Sequence, residues 1–399
     1  MVSMEIRQIT AEERTTTMWP LQAYAFLPSP WTDEQRAEQT ESYRRRMTYF
    51  SSCVSLIAEE GGQTLAGVAA FPMRENLRGV VHDMAGVASV ASHPSARRRG
   101  LVRALLERLL RQMREQGCAV SALYPFRPSF YARYGFVGLP RRRTASFAPE
   151  GLSHLLRAEL PGEVERLPMR DGFAEYDALI LRLLGERHGF AVFDEVRAAE
   201  FREDDKWVAV ARAGGEVVGA VTYRVDDYGG EFRAADLLTT GPLGRALLLQ
   251  FFARHVDQVA RVVLTVGPDD VPELWGTDLA VVTESRVAFP SSPGPMGRVL
   301  DVAALDGMPA GDGAVTVEVV DDELIGGVYR LEGDGGRLSV RKGGGGETRL
   351  TAAGLSGLVY GVLDPVDVVA RGLGHVDASA IEPLRSIFPR AMPYLFADF

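Results

Sequence analysis

The sequence Arg97-Arg98-Arg99-Gly100 stands where an apolar run, Val87–Ser92, gives way to a helical pattern. A helix start directs unpaired N–H groups outward and carries partial positive charge, so a strand, a basic turn and a helix N-terminus together make an anion site. Gly100 permits close backbone approach, and the guanidinium groups add charge-assisted hydrogen bonds. The far end of the chain is a second candidate. Pro393-Tyr394-Leu395-Phe396-Ala397-Asp398-Phe399 is apolar and aromatic to its last residue, whereas chain ends are ordinarily polar and frayed. Such an end docks, and a docked end delivers a fixed α-carboxylate. The six histidines show no metal-ligand spacing. Two cysteines, Cys53 and Cys118, are too few for a disulfide framework or a zinc site, so no metal and a reducing cytoplasm are expected.

The elements that must position these groups follow from periodicity. Helical patterns cover Ala11–Phe26 and Asp33–Tyr49, and Val54–Glu59, Gly61-Gly62 and Leu65–Met73 read as a hairpin. Val80–Met84 and Val87–Ser92 read as two further strands. Leu101, Val102, Leu105, Leu106, Leu109, Leu110 and Met113 then fall at helical spacing, with Gly117 placed to end the helix. Ala119–Tyr124 is a buried strand by length, and strand, helix, strand implies a parallel crossover. A weak internal repeat follows: residues 207–225 echo residues 55–71 as extended run, Gly-Gly, extended run, with Ala234–Leu238 as a strand and Leu243–Val259 as a helix after it. Beyond the proline- and glycine-rich residues 290–297 come extended segments at Val315–Val320, Gly327–Leu331 and Arg337–Arg341, a glycine loop at Gly343–Gly346 and closing helices.

A chain of 399 residues holds two or three domains at about 150 residues each. The expected division is 1–150, 151–289 and 290–399. No apolar run is long enough for a signal peptide core or a membrane span. The net charge of −9 divides unevenly, +6 over residues 1–150 and −15 over the rest. An acidic whole argues against nucleic acid as the main partner, and a basic first third suits handling of an anion.

Arg97-Arg98-Arg99-Gly100-Leu101-Val102 resembles the pyrophosphate-binding motif of the Gcn5-related N-acetyltransferase (GNAT) superfamily, R/Q-x-x-G-x-G/A, with Val102 departing at the last position. Phe130-Tyr131-Ala132-Arg133-Tyr134-Gly135-Phe136 is similar to its F-Y-x-x-x-G-F signature. Three units in this order resemble the enhanced intracellular survival (Eis) family: an α/β fold with two tandem GNAT-like domains, the second degenerate, then a sterol-carrier-like unit. The resemblance implies acetyl-CoA as co-substrate, no metal, a homo-oligomer (a hexamer, as a trimer of dimers) and a small-molecule amine acceptor of aminoglycoside, polyamine or lysine type. On that reading Val90, Ala91 and Ser92 pair with pantetheine, and Arg98, Arg99, Gly100, Leu101, Val102 and Arg103 hold the pyrophosphate. Phe126 and Arg127 complete the cofactor site. Tyr131 is the expected general acid, with Tyr134 as its competitor, and the Phe399 carboxylate is the expected base, with Asp83 and His93 as alternatives. Phe26, Trp31 and Tyr43 are candidates for an acceptor pocket. A non-catalytic coenzyme A sensor or lipid-binding module is the alternative function.

Overall fold

A computed structural model describes residues 4–26, 32–346 and 348–399. Trp31 lies outside the described residues. The first stretch runs β1 (Glu5–Gln8), α1 (Met18–Phe26), α2 (Asp33–Arg45), α3 (Met47–Ser51), β2 (Val54–Glu60), β3 (Gln63–Leu77), β4 (Val80–Ser92), α4 (Leu101–Glu115), β5 (Val120–Leu123), α5 (Pro128–Tyr131), β6 (Val137–Gly138) and β7 (Arg143–Phe147). The second runs β8 (Glu163–Pro168), α6 (Met169–Glu186), β9 (Ala191–Phe193), α7 (Glu195–Glu200), β10 (Trp207–Ala213), β11 (Glu216–Val225), β12 (Glu231–Thr239), α8 (Pro242–Ala253), β13 (Arg261–Val266), β14 (Val281–Glu284) and β15 (Met296–Val299). The third runs β16 (Gly313–Val320), β17 (Gly327–Asp334), β18 (Arg337–Lys342), β19 (Thr348–Thr351), α9 (Ala352–Val359), α10 (Pro365–Ala370), β20 (Gly374–His375) and α11 (Ile381–Ile387).

Leu101, Leu105, Leu106, Leu109, Leu110 and Met113 all bury, so α4 lies on the sheet along one apolar stripe. Truncating Leu109 to alanine there would cost about 2–5 kcal/mol. The helix gives way at Gly117, whose φ of 98° suits glycine. Val80–Ser92, read as two strands from sequence, is one strand. Ala85 and Gly86, where the two segments divide in sequence, pair regularly with Pro72 and Phe71. The irregularity lies further on, a bulge where pairing with β3 shifts between Ala91 and Ala88 and Ser89 takes φ 58°.

Three sheets result. The first has the order β1-β2-β3-β4-β5-β15-β6, with β9 added to β3; the second is β14-β7-β13-β12-β11-β10-β8; the third is β18-β17-β16-β19-β20. The single parallel step in each of the first two sheets joins equivalent strands, β4 to β5 and β12 to β13. The sheets do not follow the divisions at 150 and 289. Arg143–Phe147 pairs with β13 and β14 in the second sheet, while Met296–Val299 returns to lie between β5 and β6 in the first. The first two units thus exchange a strand at the same sheet position.

Candidate active site

The bulge decides where the site opens. Met84–Val87 pairs in parallel with Val120–Leu123, and beyond Val87 the two strands part. Ala91 and Ser92 therefore have β3 on one side only, and Val90 lies in the bulge between registers, leaving a free strand edge toward the gap. At the same end of β4 the chain enters α4 through Arg98 (φ 63°) and Gly100 (φ 81°). Gly100 caps the helix with no side-chain hydrogen bond, and the first turn bond recorded runs from Ala104 N to Gly100 O. The N–H groups of Leu101, Val102 and Arg103 are thus the unpaired start of a 15-residue helix. Val102 is half-buried with its side chain against the core, so its bulk points away from this N–H cluster. Arg97 and Arg98 carry no ion pair among the described residues. Arg99 is held by Glu60 at 3.0 Å and Arg103 by Glu107 at 2.8 Å. A strand edge, three free amides and two unneutralised guanidiniums fit a pantetheine-linked pyrophosphate.

Tyr131 is almost wholly buried beneath Phe126, Phe130 and Phe136, with ring centroids 5.0 to 6.2 Å away. Burial, then the neighbouring Tyr134, raises its phenol further above the ordinary value, so it is protonated at neutral pH. Phe126 is exposed and packs edge-on against Tyr131. Arg127 precedes α5 and is exposed. Tyr134 is half-buried and its carbonyl accepts from Arg298.

The chain end runs into the same gap. Tyr394 N donates to His188 O at 3.0 Å and Ala397 N to Ala191 O at 3.2 Å, tying the tail to the segment around β9. The Tyr124 hydroxyl donates to Ala397 O at 3.1 Å, and its ring meets that of Phe399 edge-on at 5.6 Å. Tyr394, Leu395 and Ala397 are buried within their own chain. Gly86 makes room for Phe399: a Cβ there would stand 3.1 Å from its ring and 2.5 Å from the Met73 sulfur. Phe399 lies on the sheet face that carries Met84, whereas Tyr131 belongs to the opposite cluster with Ala85 and Val87. The two candidate groups stand on opposite sides of the parting strands.

Beside the tail lies a cavity of about 320 Å³, walled by Phe173, Ile180, Phe201 and Phe396 and bearing Asp177 and Glu195. Neither carboxylate has an ion pair among the described residues. Burial and then the like charge of Glu195 raise the Asp177 carboxyl above its usual range, with Arg74 opposing. Asp236, Arg142 and Asp398 border the cavity as a chain, Arg142 sitting 3.1 Å from Asp236 and 3.3 Å from Asp398. These residues and Tyr124 carried no readable motif; only the aromatic tail hinted that something must receive it.

Other expected positions lie elsewhere. Phe26 is exposed at the end of α1 and does not border this cavity. Tyr43 is a core residue, its ring 4.7 Å from both Trp19 and Phe50 and its hydroxyl accepting from buried Arg14. Asp83 is exposed six positions before the bulge, about 20 Å away along the strand. The His93 ring accepts from Ser95 N at 3.3 Å, capping the turn before Arg97. Cys53 and Cys118 are free and buried, and burial pushes their thiols up to about 12 and about 11. Among the described residues no cluster of metal-ligating side chains occurs, and no helix is long and apolar enough to cross a membrane.

The second unit repeats the geometry without the chemistry. Its bulge residue Asp236 (φ 52°) is occupied by Arg142 and by the Tyr394 hydroxyl at 2.8 Å. Its helix opens Gly241-Pro242, which removes an N–H, and the turn before it, Leu237–Gly241, has no arginine.

A parallel strand pair that parts at a bulge, facing a basic turn and an uncapped helix, defines an acetyltransferase of the GNAT type. The acetyltransferase (GNAT) domain family matches residues 5–138, and a second GNAT domain family matches residues 187–299. The chain belongs to the GNAT acetyltransferases, with two domains of that family in tandem, and is an acyltransferase enzyme. An uncharacterized N-acetyltransferase of Streptomyces avermitilis is 27% identical over 362 residues, 82% of each chain. A GCN5-related N-acetyltransferase from Anabaena variabilis matches at TM-score 0.84 and 18% identity over 100% of both chains. Eis1 from Mycobacterium abscessus matches at TM-score 0.76 and 19% identity, over 99% of this chain and 100% of that one. At those identities the structural likenesses speak to fold.

Proposed function

We propose that the chain transfers acetyl from acetyl-CoA to a small cationic amine by direct attack in a ternary complex. The observation that carries this reading is the seating of Phe399 against Gly86 and Tyr124 where β4 and β5 part, with Tyr131 on the opposite face. The N–H groups at Leu101–Arg103, with Arg97 and Arg98, hold the pyrophosphate, and the open edge at Val90–Ser92 aligns pantetheine as an added strand. Strand N–H groups there polarise the thioester carbonyl. The Phe399 carboxylate takes a proton from the ammonium and releases it to solvent. The neutral amine forms the C–N bond as the C–S bond breaks, Tyr131 gives its proton to the departing thiolate, and the proton shed by the new amide nitrogen restores the phenol. Base and acid on opposite faces suit attack from one side and departure on the other.

Unpaired Asp177 and Glu195 suit a cationic acceptor, and the apolar walls of the cavity suit its carbon skeleton. We read the third sheet and its helices as sterol-carrier-like, the assembly as a hexamer and the compartment as cytoplasm. Thiol release from acetyl-CoA with a panel of polyamines, lysine derivatives and aminoglycosides tests the activity. Release with none, beside tight coenzyme A binding, would favour the sensor or lipid-binding alternative. Deleting Phe399, or extending the chain by one glycine, should cut turnover at least about a hundredfold with coenzyme A affinity kept; unchanged turnover in both removes the carboxylate from the mechanism.

A further inference from the structure

The tail borders the cavity and also a second, larger cleft of about 540 Å³. Phe396 and Ala397 line the first, Leu395 lines the second, and Arg142 and Asp398 border both. The two spaces thus share Arg142 and Asp398, the residue before the chain end. Their charges are opposite. Where the cavity offers unpaired Asp177 and Glu195, the cleft offers Arg141, Arg143 and Arg286.

How those guanidiniums are satisfied is informative. Arg141 donates to Pro293 O at 2.9 Å and Arg143 to Asp270 O, so each half-buried cation meets a main-chain carbonyl and no carboxylate. The Arg286 guanidinium makes no hydrogen bond or ion pair among the described residues, and only its carbonyl is engaged, accepting from the Ser292 hydroxyl at 3.1 Å. Of the carboxylates bordering the cleft, Asp398 is committed to Arg142, and exposed Glu284 has no ion pair among the described residues. A carbonyl dipole satisfies an N–H without neutralising a charge, and a guanidinium drawn out of water gains most from a carboxylate or phosphate in its plane. Thr144 and Thr265 line the same space, and their hydroxyls have no hydrogen-bond partner among the described residues.

We propose that this cleft is an anion subsite of the acceptor chamber, so that the acceptor carries a carboxylate as well as its amine. The proposal rests on the reading of the chain end as the place of transfer. An acceptor of this kind spans the tail's end: its cationic part lies toward Asp177 and Glu195, its anionic part toward Arg141 and Arg286, and the reacting amine at Phe399.

Calorimetric titration of the full chain with lysine and with cadaverine, its decarboxylated counterpart, tests this. Lysine should bind about tenfold more tightly, and Arg286→Ala and Arg141→Ala should each narrow that gap while leaving cadaverine unchanged. Inorganic phosphate should compete with lysine and not with cadaverine. Equal binding of the two amines, or a gap that survives both substitutions, overturns the proposal. Phosphate binding without any lysine preference also overturns it, by placing a free anion in the cleft. Thiol release with cadaverine is read separately: release without lysine preference leaves the transferase reading standing and removes the subsite alone.

Discussion

At the scale of single residues, burial sets the chemistry. Tyr131 is legible in the sequence because its aromatic neighbours form a motif, but only the packed structure shows its phenol raised by burial. Tyr131→Phe should lower turnover about a hundredfold with coenzyme A affinity unchanged, measured by steady-state kinetics beside direct binding. Wild-type turnover in that variant would pass the acid role to another group. Glu75 shows the opposite case. Nothing around it in sequence marks it, yet it is fully buried, accepts from the Tyr360 hydroxyl at 2.8 Å through one oxygen, and has no partner at the other. Burial lifts its carboxyl to about 8, with the tyrosine bond opposing. Between the ordinary carboxylate value and about pH 8 the unfolded chain releases this proton while the folded chain keeps it, so stability falls as pH rises through that window. Denaturant titrations from pH 5 to 8 should show the decline in the wild type and a flatter profile in Glu75→Gln. Parallel profiles would mean that Glu75 ionises freely when folded.

At the scale of elements, the site is made by one irregularity. A regular β4 would pair with β5 along its length and leave no edge; the bulge at Ser89 ends that pairing after Val87. In sequence this strand divides at Ala85-Gly86 because glycine looks like punctuation, whereas the pairing there is regular and the bulge lies at Ser89, inside the second segment. Gly86 is there for space. Gly86→Ala should displace the Phe399 ring or the Met73 side chain and reduce turnover severalfold, with the fold and coenzyme A affinity retained. Circular dichroism and coenzyme A titration check the retained properties. Loss of cofactor binding in this variant would show that Gly86 serves the cofactor instead. The helix that follows was readable in full because six buried side chains at helical spacing leave a pattern that no tertiary contact needs to explain.

At the scale of the whole molecule, the exchange of β7 and β15 joins the first two units into one folding problem. A chain ending at residue 142 would lack β15, leaving β5 and β6 without the strand that pairs with both. Such a fragment should unfold at markedly lower denaturant than the full chain or fail to stay monomeric, as chromatography and urea titration would show. A fragment as stable as the full chain would mean that β15 is dispensable. By itself the sequence determined what local pattern can carry: the amphipathic α4, the basic turn, the Tyr131 motif, the repeated hairpin and an aromatic chain end. Periodicity and turn chemistry are properties of neighbouring residues, so they survive without the fold. Only the tertiary structure decided which strands cross between units, which faces Phe399 and Tyr131 take, and how Arg142, Asp236 and Tyr124 receive the tail. Those contacts join residues about 100 to 270 positions apart, and they depend on where the sheets bring the backbone, which no local spacing encodes.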